Sequence, residues 1–177
     1  MANTFTALAS GVALPTSAAA KTLLSLYNLH ATEKLNVCRV WVQNTGTATV
    51  TAVYQTLSLG LHTTDQTAGS TTVTPIKHDT NSAALSNATC KHSPTTSVTL
   101  TATFRQMTWS GDEFVNNVNK IENLLALPTF ALIFDAGYGD TNIEPIVLNQ
   151  NEGLAVTSAG VASGVGTVDV CFEFYVT

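Results

Sequence analysis

The stretch "TVDVCFEFYVT", Thr167–Thr177, alternates residue by residue. Val168, Val170, Phe172, Phe174 and Val176 share one parity, while Asp169, Glu173 and Tyr175 share the other. Successive side chains of a strand point to opposite faces, so this pattern predicts a strand with one apolar face turned inward. The stretch "IEPIVLNQNEGLAVTSAG", Ile143–Gly160, lies just before it. It reads as a strand, a polar corner and a second strand, with Gly153 expected to supply a positive φ at the corner.

Further back the same logic repeats. "KTLLSLYNLH" (Lys21–His30), "SVTLTATFRQMTW" and "TFALIFDAG" read as strands. "NVCRVWVQN" is apolar at Val37, Val40 and Val42, on both parities, with Trp41 added. A strand apolar on both faces is either sandwiched or placed at a subunit contact. After a turn at Asn44, Thr45 and Gly46, "TATVTAVYQTLSLGLH" changes parity near Val53, where a bulge or bend is expected. Thr63 to Pro94 is polar and turn-rich, and loops of that length usually make contacts or carry function. "SGDEFVNNVNKIENLLALP" has partial helical spacing, but its Asn content favours extended or irregular chain. About seven to nine strands in a chain of this size imply an all-β sandwich or jelly roll.

The first twenty residues, "MANTFTALASGVALPTSAAA", lack a cationic start, and Pro15 breaks their weakly apolar run. They read as an extended N-terminal arm rather than a secretion signal. The expected organisation is therefore an arm over 1–20 and a single jelly-roll domain over 21–177. No segment is long and apolar enough to span a membrane as a helix.

Composition narrows the function. The 177 residues are 45% hydrophobic and only 11% charged, against a usual charged share of about 25%. So few solvating charges favour a surface covered by partners, as in an assembly protein. The net charge is −5 and the seven Lys and Arg residues are scattered, which argues against direct binding of nucleic acid. Cys38, Cys90 and Cys171 are too few and too far apart for a secreted disulfide framework. They are expected to be reduced, with Cys38 and Cys171 buried and inert in apolar strands.

Catalytic and metal patterns are weak. His30, His62, His78 and His92 have no metal-motif spacing. "HDTN" (His78–Asn81) sets an imidazole beside a carboxylate, without a nucleophile context. "DAGYGDTNIE" (Asp135–Glu144) fails the calcium-loop spacing of ligands at alternate positions and reads as a turn built on Gly137 and Gly139. Asp112 and Glu113 read as a solvated corner rather than a glycosidase pair. The expectation is no enzyme activity, no metal and no cofactor.

Taken together, "RVWVQNTGTATVTAV", "TPIKHDTNSAALSNAT", "FRQMTWSGDE", "IFDAGYGD", "EPIVLNQNEGLAV" and "VGTVDVCFEF" resemble tailed-bacteriophage virion proteins with a small jelly-roll domain. The resemblance covers most of the chain from about Arg39 onward. It implies trimers of tumour-necrosis-factor type, acting as capsid decoration or cement proteins on the outer surface of the virion. The partners implied are further copies of the chain and the major capsid protein. The alternative it leaves open is a tail or fibre head domain that recognises a host receptor. Val37, Val40, Trp41 and Val42, apolar on both parities, are the residues expected at the trimer interface.

Overall fold

The computed structural model describes residues 3–45, 54–66, 68–110, 130–136, 143–160 and 166–177. Among them the chain is all β, a sandwich of two antiparallel sheets. In the first sheet β3 (Leu35–Asn44), β12 (Thr167–Val176), β1 (Asn3–Ala13) and β6 (Ile76–Lys77) lie side by side. The other edge of β3 pairs with both β10 (Ile146–Leu148) and β9 (Phe130–Asp135). The second sheet runs β5 (Thr71–Thr72), β7 (Ala88–His92), β2 (Lys21–Asn28), β11 (Gly153–Ser158), β4 (Tyr54–His62) and β8 (Ala102–Ser110). The pairings are nested. β1 pairs β12, β2 pairs β11, β3 pairs β9 and β10, and β4 pairs β8.

The terminal strand behaves as its alternation predicts. Val168, Val170, Phe172 and Phe174 are buried in the core with Val40 and Val42 of β3 and Phe5, Ala7 and Ala9 of β1. Phe5 and Phe174 are register partners with ring centroids 5.5 Å apart. The second sheet answers with Leu24, Leu26, Leu57, Leu59, Leu154 and Val156. Each fully buried Leu or Phe contributes roughly 1.5–3 kcal/mol of transfer free energy, so the facing layers carry the fold.

Four expectations change. The expected arm over 1–20 is mostly β1, held between β12 and β6 with Phe5, Ala7, Ala9 and Val12 in the core. Two of its inward positions are Ala7 and Ala9, whose small side chains hide the strand in the sequence. β3 does not present two apolar faces. Its register slips at Cys38, because Glu173 pairs Arg39 and Phe174 pairs Val37. The extra residue lets Val37 and Val40 both point inward. Gly153 has no positive φ; Asn151 takes the left-handed turn at φ 62. The strands among the described residues number twelve, because β1 and the long polar segment after β4, with β5, β6 and β7, add to those expected. The bend expected near Val53, the segment 111–129 and Gly137, Gly139 and Asp140 lie outside the described residues.

That long segment also decides which faces are open. On the second sheet Ser25, Tyr27, Ala155 and His62 point away from the core, yet all are buried. The chain after β4 lies over them. Tyr27 Oη donates to the Thr63 carbonyl at 3.1 Å, and Thr22 N–H donates to Ser97 Oγ at 2.9 Å. Val98 N–H donates to Thr22 Oγ1 at 3.0 Å.

Candidate functional site

Among the described residues no such segment lies over the outer face of the first sheet. Outward positions of β1, β12, β3 and β9 meet in register: Leu8 pairs Cys171, Cys171 pairs Trp41, and Trp41 pairs Leu132. At about 4.8 Å per strand this apolar row spans about 14 Å. Leu8 is 42% exposed and Leu132 49%. Trp41 is half-buried, and Cys171 between them is closed from solvent.

A charged row flanks it. Thr6, Glu173, Arg39 and Asp135 are consecutive register partners. Arg39 Nη1 lies 3.1 Å from Glu173 Oε2, and its Nε lies 3.4 Å from Asp135 Oδ2. The two carboxylates anchor the guanidinium across three strands, which limits the freedom lost when another surface meets it. Beyond it, Val147 pairs Asn36 and is 41% exposed.

The face is suited to contact rather than chemistry. Burial first, and the Glu173 carboxylate second, push the Cys171 thiol up to about 12, so it stays protonated and weakly nucleophilic. Cys90 is buried in the core, where desolvation holds its thiol far above the usual range. Cys38 is only half-buried, and its thiol is raised by burial and then by Glu173.

Of the four residues expected at the trimer interface, the structure separates three from the fourth. Val37, Val40 and Val42 are fully buried within the single chain, so they fill its own core and cannot line a contact between copies. The bulge at Cys38 is the reason. Trp41 points outward, in the apolar row with Leu8 and Leu132. Leu8 carries no signal of its own in the sequence, because the small residues around it hide the β1 strand.

The other polar candidates are structural. His78 Nε2 lies 2.6 Å from Thr6 Oγ1, while Asp79 accepts from Asn81 N–H in a local turn. His30 contacts Glu33 at 3.3 Å across a turn. Ser25 Oγ and His62 Nε2 are 2.9 Å apart, but both residues are buried, and His62 Nδ1 faces the Thr64 carbonyl rather than a carboxylate. Among the described residues no three His, Cys, Asp or Glu side chains gather as a metal site. Also among them, no helix is long and apolar enough to cross a membrane.

No protein family, no curated protein and no solved structure matches this chain.

Proposed function

We propose that the chain is a structural virion protein, a trimeric jelly-roll decoration or cement protein of a tailed-phage head. The observation that carries this is the asymmetry of the sandwich: the chain after β4 covers β2 and β11 of the second sheet, while the first sheet exposes Leu8 and Leu132 at the ends of a row that runs through the half-buried Trp41. A charge-poor protein that leaves such a row in water gains by covering it with copies of itself.

The nested pairing supports the jelly-roll reading, because a long two-stranded ribbon rolled over two sheets produces that order. The stretches resembling phage virion proteins include β3, β9, β10 and β12, which are neighbours in the first sheet. On this reading each trimer spans junctions between capsomers and binds a surface present only in the expanded shell. It stabilises that state by mass action. The protein needs neither catalysis nor a cofactor for this, and its partners are itself and the major capsid protein.

Copy number in purified particles tests the role. Hundreds of copies per head support decoration. A handful of copies at the tail would replace it with the receptor-binding alternative.

A further inference from the structure

The segment that covers the second sheet leaves a cavity of about 350 Å³ between its two limbs. Thr64, Asp65 and Gln66 line one side, and Thr96, Ser97 and Thr99 line the other. The volume is at the small end of the roughly 300–1,000 Å³ typical of small-molecule sites. A second hollow of about 220 Å³ shares Ser97 with it and continues toward Thr16 and Ser17. The two form one hydroxyl-rich trough.

Its polar groups are arranged to accept hydrogen bonds. Gln66 Nε2 donates to the Thr96 carbonyl at 2.9 Å, which fixes the orientation of the amide. Gln66 is only 7% exposed, and its Oε1 is buried with no hydrogen-bond partner. A buried acceptor without a donor is unfavourable, and a ligand donor relieves it. Asp65 Oδ1 accepts from Thr89 Oγ1 at 2.7 Å and from Lys91 Nζ at 2.9 Å, so Oδ2 is turned to neither. Lys91 also neutralises the Asp65 charge.

These features select a ligand class. A ligand with several hydroxyl donors and no charge matches the unsatisfied Gln66 Oε1, the neighbouring hydroxyls and a compensated carboxylate. Lys91 is committed to Asp65, which disfavours phosphate and carboxylate ligands beside Gln66, while Lys21, in the wall of the second hollow, donates to the Ala13 carbonyl at 2.6 Å. Pro94 and Val98 supply apolar wall for the C–H face of a ring. We propose that this cavity binds a neutral saccharide, one sugar ring lying between Gln66 and Thr99 and the chain continuing past Ser97. The site lies on the opposite sheet from the apolar row, so it does not depend on the trimer.

Saturation-transfer NMR on the full chain tests it, using millimolar methyl glycosides of neutral hexoses and N-acetylhexosamines. Transfer to at least one of them is expected. Thr99→Trp, at an exposed wall position, fills the cavity without disturbing buried groups and should abolish that transfer. Gln66→Leu should weaken it by roughly tenfold, the loss of about one hydrogen bond. No transfer to any neutral glycoside, or transfer undiminished by Thr99→Trp, overturns the proposal. Equal transfer to sialylated or phosphorylated glycosides overturns the choice of a neutral ligand.

Discussion

Ser25 and His62 belong to strands that do not pair with each other, yet their side chains lie within a buried hydrogen bond of 2.9 Å across β11. Between the strands, Gly153 is the register partner of both Tyr27 and His62. The two rings close over it with centroids 5.6 Å apart. A side chain at 153 would run into both rings. The glycine of the "NQNEG" corner is therefore required by what packs on it rather than by its own φ.

Gly153→Ala should destabilise the fold by roughly 1–3 kcal/mol, the usual effect of overpacking a filled site. Urea unfolding checks the value. In the double variant with His62→Ala the loss should be less than the sum of the two single losses, because the nearer of the two clashing rings is gone.

His62 also makes stability depend on pH. Burial lowers its pKa below the ordinary 6.5, opposed by the hydrogen bond to the Thr64 carbonyl and by Asp65. The unfolded chain then binds a proton more readily than the folded one. This contribution is complete above about pH 6.5 and is lost as pH falls through the depressed folded value. His92, lowered by burial and then by Lys21, adds in the same direction. Unfolding midpoints measured from about pH 7.5 to about pH 5 should fall more steeply in the wild type than in His62→Gln. Parallel curves would remove His62 from this role.

Removal of residues 1–13 should unfold the protein rather than free an appendage. The deletion takes β1 out from between β12 and β6 and exposes Phe172 and Phe174. Loss of near-ultraviolet circular dichroism is the expected readout. A folded truncated chain would restore the arm.

What the sequence disclosed follows from how locally each feature is encoded. β12 was legible because its alternation is unbroken and its inward side chains are large. β3 misled because one inserted residue at Cys38 reverses parity, and a bulge looks in sequence like a two-faced strand. β1 was missed because Ala7 and Ala9 are inward residues with little hydrophobic signature. Ser25 and His62 are 37 residues apart, and only the sheet order brings them together. Trp41 is expected at a trimer contact because it is aromatic, and the register turns it to the outer face. Its row partners Leu8 and Leu132 needed the register.

On the outer face of the first sheet, Leu132→Glu should leave the fold intact and weaken self-association. Leu132 is half exposed in the single chain, so the change buries nothing there. In a trimer it places an unpaired carboxylate in an apolar contact, at a loss of roughly 3–5 kcal/mol. Trp41→Glu should act in the same direction with some loss of monomer stability, since Trp41 is half-buried. Circular dichroism with sedimentation separates the two effects. If both variants associate like the wild type, the contact lies elsewhere.

On the proposed reading, copies of this chain cover the apolar row of Leu8, Trp41 and Leu132. Sedimentation equilibrium of the wild-type protein at micromolar concentration tests it most directly. A single species of three times the 18.6 kDa chain mass is expected. A stable species at 18.6 kDa would contradict it.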